Sequence, residues 1–174
     1  LGQYYFEIAL LLRESIFLSS VLLNSDTWVN LTQSNIEELE KIDETLLRRL
    51  LNAPAKTPIP ALYLELGINP IRFNIITRRL MFLHHILNCD NNRLINQVFW
   101  AQVHSPAKND WVLQIKDDLR TIGLDYLSFN NIKFMKKEQF KSLINIKCQK
   151  AGFEFLLNLK QNRSKININF VKLN

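Results

Sequence analysis

The segment 31–52 constrains this chain more than any other. Ile36, Leu39, Ile42, Leu46 and Leu50 recur at steps of three and four residues, which places them on one stripe of an α-helix. Ser34 with Glu37 has capping-box spacing, Thr32 is an alternative cap, and Leu31 can act as the staple before them. Glu37, Glu38 and Glu40 fall in the first turns and Arg48 and Arg49 in the last, which complements the helix dipole. Pro54 ends the helix, because the residue before a proline avoids helical geometry. A chain that spells out cap, stripe and stop in this way is helical, and Ile36, Leu39, Leu46 and Leu50 are expected in its core.

The same pattern repeats along the sequence. Residues 3–24 read as one helix, apolar nearly all round, which belongs deep in a core or against a missing neighbour. Thr57-Pro58 starts a short helix that Gly67 stops, and Asn69-Pro70 starts another that runs to about Leu87. Residues 91–103 form a further helix. Trp111, Ile115, Leu119 and Ile122 make the stripe of the next, which is capped by Asn109 or Asp110 and followed by Gly123. Residues 128–159 suggest one or two more, interrupted at Gly152, with Phe140, Leu143, Ile144, Ala151, Phe155 and Leu159 inward. Ile166, Ile168 and Phe170 alternate with polar residues as in a strand, but the run is short and terminal, so a frayed end is expected. The sum is an all-α, irregular multi-helix bundle of about seven helices. The polar break at 87–92 could divide it into two subdomains, 1–88 and 89–174.

Composition excludes several alternatives. Four Gly and five Pro are too few for a turn-rich β-sandwich or for glycine loops around nucleotides. Two Cys, Cys89 and Cys148, exclude a disulfide scaffold and a Cys-rich zinc site. The longest uncharged run in the apolar N-terminal stretch, residues 15–25, is 11 residues. Roughly 20 are needed to span a bilayer. No membrane partner is expected, and no signal peptide. The chain begins at Leu1 rather than Met, so it is expected to be a piece of a longer product.

Charge is segregated. Residues 1–132 carry 12 Lys+Arg against 14 Asp+Glu, a balance of −2, whereas residues 133–174 carry 10 against Glu138 and Glu154, a balance of +8. A basic C-terminal third suits a polyanion, although a lysine-rich solvated helix face would look the same.

Catalytic chemistry is sparse. Asp117-Asp118 is the adjacent acidic pair that a metal-dependent polymerase would need, but neighbours on a helix diverge by about 100°. A solvated face flanked by Lys116 and Arg120 is the expected reading. His84, His85, Cys89 and His104 lack the paired spacing of a metal centre, and no metal or other cofactor is expected. His104-Ser105 has no acidic third member for hydrolysis. No catalytic residue is assigned and no small-molecule substrate is expected. For nucleic acid the candidates are Trp28, Arg48, Arg49, Arg72, Arg78 and Arg79. Arg72 and Arg79 lie seven apart on one face, and guanidinium forks suit phosphates. Helix-end capping and ion pairs with Glu65 or Glu44 are the other reading of these arginines. Trp28, in the polar connector 24–30, could stack on a base or plug a helix junction. Trp111 belongs to the core.

Four pieces of residues 20–87 resemble, in order, the region after the catalytic palm in reverse transcriptases of non-LTR (LINE-type) retrotransposons. They are Leu22-Leu23-Asn24-Ser25-Asp26-Thr27-Trp28, Leu46-Leu47-Arg48-Arg49-Leu50-Leu51, Thr57-Pro58 with Leu62-Tyr63-Leu64-Glu65-Leu66-Gly67, and Pro70-Ile71-Arg72 with Arg78-Arg79-Leu80. The first departs from the family element, with Asn24 for its glycine and Asp26 for its glutamate. The resemblance implies a helical thumb and linker that grip an RNA–DNA or DNA template–primer duplex by backbone contacts. The catalytic palm would lie upstream of Leu1 and serve as a partner. The family's paired aspartates are absent, so this piece alone is not expected to polymerise. Localisation would then be intracellular, in nucleus and cytoplasm. A freestanding helical nucleic-acid-binding module and a helical protein-interaction scaffold are the alternatives.

Overall fold

A computed structural model describes the backbone of residues 3–171 and the side chains of residues 4–161. Every regular element among the described residues is helical, and eight helical rods are present. The first rod joins α1 (Gln3–Leu12), a π-helical segment (Arg13–Leu18) and the single turn α2 (Ser19–Val21). There follow α3 (Gln33–Leu50), α4 (Ile59–Leu66), α5 (Ile71–Leu87), α6 (Leu94–His104), α7 (Trp111–Thr121), α8 (Phe129–Phe134) and α9 (Lys137–Val171).

The local signals explain most of these boundaries. Thr32, not Ser34, caps α3: its hydroxyl accepts from the Asn35 N–H while the Asn35 side chain accepts from the Thr32 N–H. Ser128 and Asn131 repeat this reciprocal box at α8. Gly67 and Gly123 follow α4 and α7 at φ +65° and +67°, the left-handed geometry in which a Cβ is strained. Gly152 does not interrupt α9. It is buried where α9 crosses the start of α5, and a Cβ there would overlap the Asn69 side-chain oxygen. Helix also continues through 164–171, so the alternating pattern is not a strand; its side chains lie outside the described residues.

Helix α5 is the spine, packing against α3, α6, α7, α8 and α9. Its residues Phe73, Ile76, Leu80, Leu83, Ile86 and Leu87 form one wall of the largest core. Phe99 of α6, Val112, Ile115 and Leu119 of α7, Ile132 of α8 and Phe140, Ile144 and Cys148 of α9 complete it. This core runs continuously past the polar break at 87–92. The expected α7 stripe is inward, with Ile115, Leu119 and Ile122 buried and Trp111 packed beside them. On the opposite side of α5, Ile71 and Ile75 meet Leu18 and Leu22 of the first rod and its C-terminal turn, with Trp28 packed against them. Leu159, expected inward on α9, is exposed.

Two expectations about burial need correction. Of the two places expected for the first rod, deep in a core or against a missing neighbour, the first does not hold: Tyr4, Ile8, Leu11 and Ile16 are exposed, while Ala9, Arg13, Leu18 and Leu22 are buried. Those buried positions are spaced four, five and four apart. A regular helix would rotate the five-residue step off the face, and the π-helical segment absorbs it. On α3, Ile36, Leu39, Leu46 and Leu50 are only half-buried and Ile42 is exposed; Asp43 and Leu47 are the buried residues. Asp43 lies at the middle of the apolar stripe, seven residues after Ile36 and four before Leu47.

Its partners explain why a charge sits there. Arg13 donates from Nε and NH2 to the two Asp43 oxygens at 2.8 and 2.6 Å, and Tyr63 Oη donates to Oδ2 at 2.7 Å. Arg13 NH2 also reaches the Asn69 carbonyl. Burial works against the Arg13 charge, yet the bonds and charge of Asp43 hold its pKa above the ordinary value. Burial and the same carboxylate raise the Tyr63 phenol, which stays a neutral donor. One group therefore joins the first rod, α3, α4 and the start of α5. Asp43→Ala leaves Arg13 buried without its counter-charge and is expected to cost about 3–5 kcal/mol. The double variant Arg13→Met with Asp43→Leu, which removes both charges and fills their space, is expected to recover more than half of that loss. Urea unfolding of the single and double variants checks this, and a loss under about 1 kcal/mol for Asp43→Ala contradicts it.

Candidate nucleic-acid interface

The arginines singled out from the sequence fall into two sets. Arg72, on the first turn of α5, forks onto Glu40 of α3 through two bonds of 2.6 and 2.7 Å, with its guanidinium 4.1 Å from the Phe155 ring centre of α9. It clamps three helices. Arg78 donates to the Leu22 and Leu18 carbonyls at the C-terminal end of the first rod, each of which also accepts a backbone N–H, from Ser25 and Leu22 respectively. Arg48 bonds Glu44 and the Pro54 and Thr57 carbonyls, fixing the turn between α3 and α4. Arg79 is almost wholly buried, with NH2 on Asp118 Oδ1 at 3.0 Å and NH1 on the Trp28 carbonyl. Arg49 alone of the five is exposed, with no ion pair among the described residues. The two arginines expected to work together from one face, Arg72 and Arg79, thus hold separate protein carboxylates. Of the two acidic partners weighed for these arginines, Glu44 pairs with Arg48, while Glu40 takes Arg72.

Asp117 and Asp118 do not form one solvated face. Asp117 is exposed and pairs with Arg120, whereas Asp118 is buried against Arg79. The reason is register: Asp118 lies three residues after Ile115 on the inward side of α7. Gln114 also donates to it. Arg79 Nε lies 2.7 Å from Asp118 Oδ2, close enough for charge attraction but off hydrogen-bond alignment, so those two atoms are the loose end of the pair. Trp111 Nε1, at the start of the same helix, donates to the Asp26 carbonyl. Arg79 and Trp111 together latch the 24–30 connector onto α5 and α7. Trp28 is half-buried at that junction.

The histidines do local work. His84 is buried, with Nε2 3.0 Å from the Met135 carbonyl and its ring stacked on Phe140. His85 Nε2 contacts Cys89 Sγ at 3.5 Å, and His104 Nδ1 contacts the Trp100 carbonyl. No group of three or more potential metal ligands occurs among the described residues, and none of their helices is long and apolar enough to cross a membrane. Burial lifts the Cys148 thiol to about 11, with Thr77 pulling the other way.

What remains available for an anion lies mainly on α9 and the turn before it. Lys136, Lys137, Lys141 and Lys150 are exposed and form no ion pair among the described residues. Lys137 and Asn88, Arg78, His85, Phe82 and Asp26 line a cleft of about 590 Å³ between α5 and the start of α9. The sequence did carry a signal for the buried charges. Arg13, Asp43, Arg79 and Asp118 each occupy a position on an otherwise apolar helical stripe.

Burial raises the Asp118 carboxyl to about 6, against the pull of Arg79 and Gln114, and lowers Arg79. A raised carboxyl contributes stability that is complete below its ordinary value of 3.8 and lost as the pH climbs through about 6. Relative to Asp118→Asn, the native protein is expected to lose up to about 3 kcal/mol between about pH 4 and pH 7. Denaturant unfolding of both proteins across that range checks this; a stability gap that does not change with pH contradicts it.

No protein-family model matches this chain, and neither the curated proteins nor the solved structures contain a match to it.

Proposed function

We propose that this chain is the thumb and linker of a non-LTR retrotransposon reverse transcriptase, gripping a template–primer duplex by phosphate contacts while an upstream palm supplies the chemistry. The observation that carries the reading is the division of cations. Arg13, Arg48, Arg72, Arg78 and Arg79 are committed to protein acceptors. Lys136, Lys141 and Lys150 instead stand exposed without a carboxylate partner among the described residues, in a segment with a net charge of +8. Lysines so placed along a helix attract a polyanion without reading its sequence, as a protein that moves along every template requires. The four ordered resemblances in residues 20–87 supply the family. In this reading Arg48, Arg72, Arg78 and Arg79 of those pieces build the frame, and Arg49 with Lys136, Lys141 and Lys150 makes the grip. The exposed apolar side of α1 is of the kind that a further protein segment covers, and an upstream palm is that segment.

A salt titration on an RNA–DNA hybrid tests the grip. Each phosphate neutralised contributes roughly 0.9 to the slope of log K against log salt on a B-form duplex, which serves as a guide for the hybrid. Replacing Lys136, Lys141 and Lys150 together by Ala is expected to lower affinity equally on unrelated sequences and to flatten the slope by about two to three. Replacing Arg49 by Ala adds a smaller decrement. An unchanged slope in the triple variant removes the duplex-gripping reading and leaves the scaffold reading, whose contact is the apolar side of α1.

A further inference from the structure

The cleft between α5 and the start of α9 has a composition that the duplex-gripping reading does not use. Three of its lining groups can meet an anion: Arg78, His85 and Lys137. Arg78 spends one N–H each from NH1 and NH2 on the Leu22 and Leu18 carbonyls, so its guanidinium is held in place with other N–H donors still available. Lys137 is placed by register. It lies three, seven and eleven residues before Phe140, Ile144 and Cys148, the buried stripe of α9, and so points along the side of that helix that faces α5. His84, bonded to the Met135 carbonyl and stacked on Phe140, fixes the turn that delivers it. Lys137 has no ion-pair partner among the described residues. The positive end of the α9 dipole lies on the same side.

The rest of the lining narrows the ligand. His85 lies nearly parallel to Phe82, with ring centres 6.2 Å apart, which gives the cleft a flat wall. Asp26 and Asn88 complete it with a carboxylate and an amide. A bare phosphate would be repelled by Asp26 and would leave the flat wall uncovered. A ligand with an anionic end, a flat ring and a hydroxyl or amino donor satisfies all three. The volume lies in the range of small-molecule pockets.

We propose that this cleft binds a nucleoside monophosphate unit, with the phosphate at Arg78 and Lys137, the base against His85 and Phe82, and a ribose hydroxyl or base amino group on Asp26. The unit is either a free nucleotide or the 5′-phosphorylated end of a strand. The site does not depend on duplex gripping, because Lys137 and His85 are outside the set of cations assigned to that grip.

The test is a binding titration of the whole chain with AMP, adenosine and inorganic phosphate, read by amide chemical shifts. AMP is expected to bind at least about tenfold more tightly than adenosine or phosphate, with shifts at His85, Asn88 and Lys137. Lys137→Glu is expected to weaken AMP about tenfold, and His85→Ala, which leaves all four lysines in place, is expected to weaken AMP as well while leaving the blunt, dephosphorylated RNA–DNA hybrid bound to within about threefold. A 5′-phosphorylated single strand then separates the sources. Tighter binding than AMP, lost when the 5′-phosphate is removed, assigns a strand end; binding no tighter than AMP assigns the free nucleotide. Equal affinities for AMP and adenosine, unchanged AMP binding by Lys137→Glu, or shifts confined to the outer face of α9 overturn the site. Loss of hybrid binding in the Lys136, Lys141 and Lys150 variant, with AMP binding retained, supports a site separate from the grip.

Discussion

The carboxylate of Asp43, fully buried in the middle of an apolar stripe, is the constraint on which the N-terminal half depends. An ionised group there demands a counter-charge and hydrogen-bond donors, and Arg13 and Tyr63 answer it, with Arg13 held in turn by the Asn69 carbonyl. To bring Arg13 into position while keeping Leu18 and Leu22 against Ile71 and Ile75, the first rod takes a π-helical step. Arg79 with Asp118 plays the same part on the other side of α5, tying α7 and the 24–30 connector to it. The molecule is thus a helical bundle whose separate cores are registered to one another by buried charge.

Much of the architecture was legible in the sequence. Helical periodicity, the glycines after α4 and α7 and the proline starts placed the elements as far as α8 to within a few residues, because each of these signals acts locally, whereas α9 runs to Val171, well past the expected end at residue 159. The α7 stripe of Trp111, Ile115, Leu119 and Ile122 lies inward as read. Gly152 misled, because a glycine inside a helix has two readings: a break, or a close crossing. Only the neighbouring Asn69 distinguishes them. The first rod was legible in part. Its composition shows that it has more apolar surface than one neighbour covers, but not which side the neighbour takes.

The candidate site was less legible, and the cause is physical. An arginine at a helix end has the same sequence appearance whether its guanidinium meets a phosphate or a protein carboxylate, and the partner is decided by tertiary contact. Arg72 meets Glu40, which is 32 residues away in the chain, and Arg79 meets Asp118, which is 39 away. Lysine behaves differently. Its strongly hydrated ammonium stays in water unless paired, so Lys136, Lys137, Lys141 and Lys150, within the charge excess after residue 132, do describe an exposed surface. The two kinds of cation consequently divide the labour: most of the arginines fix the frame, and these lysines remain for ligands.

The Nε–Hε resonances of the arginines test that division most directly. In a ¹⁵N-labelled sample, Arg13, Arg72 and Arg79 should give slowly exchanging signals that stay in place as an RNA–DNA hybrid is added. Arg49, and the side-chain ammonium signals of Lys136, Lys141 and Lys150, should shift. Movement of Arg72 and Arg79 with added hybrid, alongside silent lysines, would contradict the account.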